Sequence, residues 1–243
     1  MDIAKNIYKT VKIVKIENES DKVKTFILDK KIKAKPGQYV MVWLPGINEK
    51  PFGIVNDDPL TFSIAKVGPF TEKIHQLKVG DRLTYRGPYG TSFLPKNGQI
   101  LLIGGGYGVV PLYFLASIIK NKRLAIVVIG AKTKSDIIFK SKFEKLGCKV
   151  KISTDDGSSG FKGFSTDLTQ KLLEKEKFKA VYTCGPEIMM KKIAELCHEK
   201  RIFCQVGMER FFKCGGLGLC GECSCKGHMV CKDGPVFNGK ILL

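Results

Sequence analysis

The 243-residue sequence is short of arginine. Of its 41 basic residues five are Arg (Arg82, Arg86, Arg123, Arg201 and Arg210), although the net charge reaches +18. Base and phosphate readers favour the guanidinium fork. The lysines are spread along the chain with no dense basic run. This reads as a Lys-rich solvated surface rather than a nucleic-acid binder, with attraction to acidic partners or phosphorylated cofactors as a weaker consequence. Long apolar runs are also missing. No stretch approaches the roughly 18 apolar residues of a membrane helix, so no membrane span is expected, and Met1-Asp2-Ile3-Ala4-Lys5 has no apolar signal character. The three histidines, His75, His198 and His228, are scattered with no Ser/His/Asp arrangement, so no catalytic acid, base or nucleophile is assigned.

Cysteine, by contrast, is plentiful. There are nine, an odd number crowded toward the C-terminus. Without an export signal this points to a reducing, cytoplasmic setting and to metal ligation rather than a disulfide framework. Cys214, Cys220 and Cys223 stand as C-x5-C-x2-C in a glycine-rich frame, and Cys231 follows after seven more residues. Plant-type [2Fe–2S] proteins use C-x4-C-x2-C with a remote fourth Cys, so the first gap here is one residue longer. Glycines let the backbone curl and aim N–H groups at the sulfurs. Structural zinc usually asks for two C-x2-C knuckles or Cys/His pairs, and one such pair is present. An iron–sulfur cluster is the favoured reading and a zinc-stabilised module the alternative. Cys225 is a spare thiol and His228 a surface residue beside the loop, while Cys148, Cys197 and Cys204 read as small buried hydrophobes.

The rhythm of the chain divides it in three. Residues 1–97 are rich in short β-type runs (10–17, 23–28, 38–44, 60–66, 82–86) bounded by Gly, Pro or Asp, which suggests a small antiparallel barrel. Residues 98–204 alternate apolar strands (99–103, 124–129, 149–153, 180–183) with helical patterns (111–120, 135–146, 165–175, 187–200), the mark of βαβ units around a parallel sheet. Residues 205–243 hold the cysteines and promise little regular structure. The fold class is therefore multi-domain β plus α/β: a β-barrel domain, a parallel-sheet nucleotide-binding domain and a small iron–sulfur module.

Three loops at strand ends of the α/β segment could meet a ligand, because open parallel sheets bind beyond their strand carboxyl ends. Gly104-Gly105-Gly106-Tyr107-Gly108 opens a helix and offers free amides to phosphate. It lacks the dinucleotide fingerprint G-x-G-x-x-G and equally suits a tight packing turn. Asp155 and Asp156 could take ribose hydroxyls or form an Asx turn. Cys184-Gly185-Pro186 ends a strand before a helix. In the barrel segment, Lys50-Pro51-Phe52-Gly53 and the stretch from Lys66 through Gly68 and Phe70 to Thr71 are loop-edge motifs. A flavin needs a flat apolar surface, amides and a cation, which these could supply, and plain turns explain them as well.

Order and motifs together resemble the ferredoxin–NADP reductase superfamily, flavin barrel first and pyridine-nucleotide domain second. Within it the chain is most similar to electron-transfer subunits of class 1B dihydroorotate dehydrogenase, through Met208-Glu209-Arg210 and the tail Cys231-Lys232-Asp233-Gly234-Pro235-Val236-Phe237. The resemblance implies a [2Fe–2S] cluster on Cys214, Cys220, Cys223 and Cys231. It puts FAD against Lys50-Pro51-Phe52-Gly53, Ile64-Ala65-Lys66, Gly68 and Phe70-Thr71. It borders the NAD pocket with Gly104, Gly105, Gly106, Gly108, Asp155, Asp156, Cys184, Gly185 and Pro186. Lys50 and Gly53 stand where the family has Arg and a hydroxyl residue, with Thr61 or Ser63 as substitute donors. The implied partner is an FMN-containing dihydroorotate dehydrogenase subunit in a heterotetramer of two copies each. The rival readings are a sister subunit of a soluble hydrogenase or transhydrogenase, and a non-redox zinc-stabilised scaffold.

Overall fold

A computed structural model describes residues 3–243; Met1 and Asp2, the start of the N-terminal segment considered above, lie outside the described residues. The chain folds as two compact units, and neither is continuous in sequence. The first joins the residues up to Ser92 to Arg210–Pro235, and the second joins Phe93–Glu209 to Val236–Leu243.

The first unit contains α1 (Ile3–Asn6), β1 (Lys9–Ser20), β2 (Val23–Leu28), β3 (Tyr39–Leu44), β4 (Asn48–Gly53), β5 (Asn56–Asp57), β6 (Leu60–Ala65), α2 (Pro69–His75) and β7 (Arg82–Tyr89). The strands pair antiparallel in the order β4-β3-β7-β1-β2-β6-β5. Inward side chains such as Ile13, Phe26, Val42, Ile64 and Leu83 are fully buried and make the core. The sheet does not close into the expected barrel. β4 packs near β6, but no ladder joins them. The polar sequence of β4 explains the open edge: Pro51 has no N–H to offer a further strand. Two of the candidate motifs lie in elements that were not foreseen. Lys50–Gly53 lies in an edge strand rather than a loop, and the Lys66–Thr71 stretch runs into the short helix α2.

The second unit contains β8 (Ile100–Gly105), α3 (Val109–Ile118), β9 (Ala125–Ala131), α4 (Lys140–Leu146), β10 (Lys149–Thr154), β11 (Phe161–Lys162), α5 (Ser165–Lys175), β12 (Ala180–Cys184), α6 (Glu187–Glu199) and β13 (Phe203–Gly207). The chain then re-enters the first unit with the hairpin β14 (Ser224–Cys225) and β15 (His228–Met229) and the helical turn α7 (Val230–Asp233). It finishes in the second unit with β16 (Val236–Asn238). The sheet order is β11-β10-β9-β8-β12-β13-β16, parallel throughout except for β16, which runs antiparallel on β13. Strands β8, β9 and β12 are buried almost end to end, as their unbroken apolar runs require when both faces are covered. The helix expected over 135–146 is shorter. A 3₁₀ turn occupies Lys134–Asp136, and Phe139 sits at φ 64°, so α4 starts only at Lys140.

Candidate functional site

The four spaced cysteines meet in the first unit as two pairs. The Cys220 thiol hydrogen-bonds to Cys214, and Cys223 pairs in the same way with Cys231. Between Cys214 and Cys223 the backbone turns left-handed at Gly215, Gly216, Gly218 and Gly221, with φ of 64°, 78°, 69° and 73°. Only glycine enters that region cheaply. The curl carries main-chain N–H groups inward. Leu219 N–H donates to Cys214 Sγ at 3.5 Å, Cys231 N–H donates to Cys223 Sγ at 3.5 Å, and Gly218 N–H faces Cys231. Burial opposes a charged sulfur at Cys214. The N–H groups of Leu219, Cys220 and Leu217, with the Cys220 thiol, outweigh it and bring this thiol down to about 6. Burial and the adjoining Cys223 push Cys231 up to about 12. Among the described residues no three His, Cys, Asp or Glu groups converge as they would on a single metal ion. Four thiols in two pairs, ringed by amide donors, fit a [2Fe–2S] cluster, whose sulfurs are tuned by such hydrogen bonds. Cys225 is buried in the hairpin and His228 is exposed.

Strands β3, β4 and β7 hold this loop from below. Tyr39 Oη donates to the Cys231 carbonyl at 2.7 Å, and a Cβ on Gly216 would come within 2.9 Å of that hydroxyl. Arg86, 5 % exposed, donates to both carboxylate oxygens of Glu49 at 2.7 Å and to the Gly215 carbonyl. Sequence reasoning missed Tyr39, Glu49 and Arg86. The available signal was an arginine, scarce in this lysine-rich chain, four residues after Arg82 in a β-type run.

The two flavin-type motifs also lie together in this unit. Phe52 of β4 stacks on Phe70 of α2, with ring centroids 6.2 Å apart and planes 16° off parallel. Lys50 Nζ lies 4.2 Å from the centre of the Phe211 ring. Ile64 and Ala65 end β6; Lys66 is exposed and follows directly. Thr71 Oγ1 accepts from the N–H groups of Val67 and Gly68 and donates to the Gly68 carbonyl, which fixes the turn into α2. A flat aromatic pair, two lysines and a turn rich in amides suit a flavin nucleotide. The proposed substitute donors are already engaged. Thr61 donates to the Pro59 carbonyl. Thr25 gives its proton to Glu19, so the 2.7 Å contact between Thr25 and Ser63 uses the Ser63 proton.

In the second unit, strand order reverses between β8 and β12, the switch point where such sheets open a crevice. Cys184 pairs with Gly104 there, and the glycine loop touches Cys184-Gly185-Pro186. A Cβ on Gly105 would fall 2.9 Å from Pro186 Cδ, and one on Gly108 would fall 2.3 Å from the Cys184 carbonyl oxygen. Gly106 is different: φ is +54° and no atom lies within 4 Å of its would-be Cβ. Gly104, Gly105 and Gly108 therefore allow close packing, while Gly106 presents open main chain. Asp155 and Asp156 lie beyond β10, two strands from β8. Asp156 Oδ1 accepts from Ser158 Oγ at 2.6 Å and Ser158 N–H at 2.9 Å, an Asx-type turn that lowers its carboxyl below the ordinary range. Glu209, singled out in sequence only for the resemblance carried by Met208-Glu209-Arg210, has its carboxyl raised by burial. Burial also pushes the Cys184 thiol well up, and Glu209 adds to the effect. A separate cavity of about 440 Å³, lined by Cys197, His198, Arg201 and Cys204, sits at the amino end of β13, away from these loops.

The family model for the iron–sulfur cluster binding domain of dihydroorotate dehydrogenase B matches residues 209–243, and the oxidoreductase NAD-binding domain matches 102–195. A probable dihydroorotate dehydrogenase B (NAD(+)) electron transfer subunit of Methanocaldococcus jannaschii is 48 % identical over 95 % of this chain and 90 % of its own. The chain belongs to this family of electron-transfer subunits. A Thermococcus kodakarensis member is 40 % identical over 98 % of this chain and 99 % of its own. The fold of the family is shared with a solved NADH-dependent reduced ferredoxin–NADP oxidoreductase, described for flavin-based electron bifurcation. That structure matches with TM-score 0.84 at 30 % identity, over 95 % of this chain and 88 % of that one. The iron–sulfur match covers all four paired cysteines and leaves the zinc-scaffold reading without support.

Proposed function

We propose that this chain is the electron-transfer subunit of a dihydroorotate dehydrogenase complex, passing electrons from an FMN-containing catalytic partner to NAD. The carrying observation is the pair of thiol pairs with main-chain N–H groups turned on their sulfurs, in a chain 48 % identical to a named subunit of that kind. Dihydroorotate oxidation belongs to the partner, and pyrimidine biosynthesis is the setting. Bound FAD and a [2Fe–2S] cluster supply what side chains lack, a link between one-electron and hydride chemistry.

The residues divide that work. Cys214, Cys220, Cys223 and Cys231 hold the cluster. Phe52 and Phe70 give the flavin an aromatic wall. Lys50 and Lys66 supply cations, and Gly53, Ile64, Ala65, Gly68 and Thr71 supply the backbone beside it. Gly106 leaves room for the nucleotide over the crevice, whose floor is the packed contact of Gly104, Gly105 and Gly108 with Cys184, Gly185 and Pro186. Asp155 and Asp156 border the ribose side. The functional segments are 1–97 for flavin, 98–204 for nicotinamide and 205–243 for the cluster. Two copies of each subunit form a heterotetramer. Among the described residues no helix is long and apolar enough to cross a membrane. A cytoplasmic location suits nine cysteines with no disulfide among them.

The likeness to a ferredoxin–NADP oxidoreductase supports a second reading, a sister FAD/[2Fe–2S] subunit of another NAD(P)H oxidoreductase such as a soluble hydrogenase or transhydrogenase. Anaerobic purification with iron, sulfide and flavin analysis tests the cofactors. The co-purifying subunit decides between the readings: an FMN-containing dihydroorotate dehydrogenase supports the first, and a hydrogenase or other flavin subunit the second. Colourless protein with bound zinc would overturn both.

A further inference from the structure

Arg86 is a cation that the electron-transfer scheme does not use. It lies on β7, almost out of water, in a chain whose positive charge is carried mostly by lysine. Four of its five N–H donors are engaged. Nε and Nη2 donate to Glu49 Oε1 and Oε2, both at 2.7 Å, and Nη1 donates to Tyr89 Oη at 2.9 Å. Nη2 also donates to the Gly215 carbonyl, and Tyr8 Oη adds a bond to Glu49 Oε1 at 3.1 Å. The rings of Tyr89 and Tyr8 lie 5.4 and 5.8 Å from the guanidinium carbon.

A buried ion pair is a poor way to gain stability, since removing two charges from water offsets most of their attraction. The group that this pair reaches is therefore informative. Gly215 directly follows Cys214. Its left-handed turn, at φ +64°, aims its carbonyl at the arginine, and a Cβ there would fall 2.6 Å from Nη2 and 2.8 Å from Glu49 Oε2. With that carbonyl anchored outward, the following stretch is left to turn its N–H groups toward the sulfurs. A lysine could supply the charge, but not three fixed directions at once.

We infer that Arg86, braced by Glu49, is a positioning residue that presets the Cys214 loop for its cluster by anchoring the Gly215 carbonyl. The inference rests on the reading of Cys214 as a ligand. Arg86 touches neither sulfur nor cluster and acts through the main chain.

The test uses the full chain, purified without air as wild type, R86K, R86Q and E49Q. Iron, sulfide and FAD per chain are measured, with the electron paramagnetic resonance spectrum and midpoint potential of the reduced protein. The expected result is that R86Q keeps its FAD, loses at least half of its iron, and shows a shifted spectrum and potential in what remains. R86K should resemble R86Q, because charge without the fork does not hold the carbonyl, and E49Q should fall between. Wild-type iron content, spectrum and potential in R86Q would overturn the inference while leaving the ligand assignment intact. So would parallel loss of FAD and iron in R86K and E49Q, the mark of a general packing role. If R86Q does not fold, R86K and E49Q decide by the same readouts. Absence of iron from the wild type would overturn the ligand assignment, and this inference with it.

Discussion

Substituting Gly108 by Ala tests the crevice floor. The new methyl would lie 2.3 Å from the Cys184 carbonyl oxygen, 2.5 Å from its carbon and 2.6 Å from Gly185 Cα. Ordinary contact begins at 3.4 Å, so the shortfall is 1.1 Å, and every atom it meets is main chain. No rotamer change can relieve it; the loops after β8 and β12 have to part. Overpacking of this kind costs about 1–3 kcal/mol, and two backbones in register place it at the upper end. For a chain of this length each kcal/mol lowers Tm by about 2–4 °C, so G108A should unfold about 6–12 °C below wild type. Gly106→Ala is the internal control. It meets no atom, and pays only about 1–2 kcal/mol for a left-handed residue, partly offset by about 0.4–1 kcal/mol from a stiffer unfolded chain. The net cost is at most about 1.6 kcal/mol, so its Tm should fall by no more than about 6 °C, while NADH affinity drops because the methyl stands on the open face. Thermal unfolding by circular dichroism and NADH titration of the flavin-loaded protein read both effects. A G108A protein within 1 °C of wild type, or one more stable than G106A, would refute the reasoning.

Cys220→Ser should abolish most cluster loading and leave FAD in place; full iron and sulfide in the variant would remove Cys220 from the ligand set. Phe52→Ala breaks the stack on Phe70, a contact worth about 0.5–1.5 kcal/mol beyond its buried area, so it should release FAD on gel filtration while iron per chain stays unchanged. Glu209 is raised above its ordinary 4.5 by burial, so its proton is held more tightly folded than unfolded. The associated stability is fully present below about pH 4.5 and is lost as pH rises through the folded-state value. Urea unfolding between pH 4.5 and 8 should therefore show wild type losing stability relative to E209Q as pH rises; parallel curves would show the carboxyl to be unperturbed.

The strand–helix rhythm of the second unit was legible because each buried strand is a short unbroken apolar run between glycine or charged stops, as in Leu124–Ile129 and Ala180–Thr183. Three features were not. The strand β4 carries Glu49, Lys50 and Pro51 in six residues and has no period-two apolar pattern to betray it. The break before α4 depends on Phe139 turning left-handed, which no local preference of phenylalanine predicts. The closed barrel was an extrapolation from strand count, and strand count does not reveal which edge lacks donors. At the site, cysteine spacing and glycine content pointed to the loop that gathers the paired thiols. The residues beneath it were silent, because Tyr39, Glu49 and Arg86 come together from three strands up to 47 positions apart, and sequence gives no sign of which side chains will converge across a sheet.

The discontinuity of both units ties their completion together. A chain ending at Glu209 would have most of two sheets but none of the four spaced cysteines, and the edge of β13 would be bare without Val236–Asn238. A chain cut anywhere between Arg210 and Cys231 would lose part of the cysteine loop from the first unit and strand β16 from the second in one event.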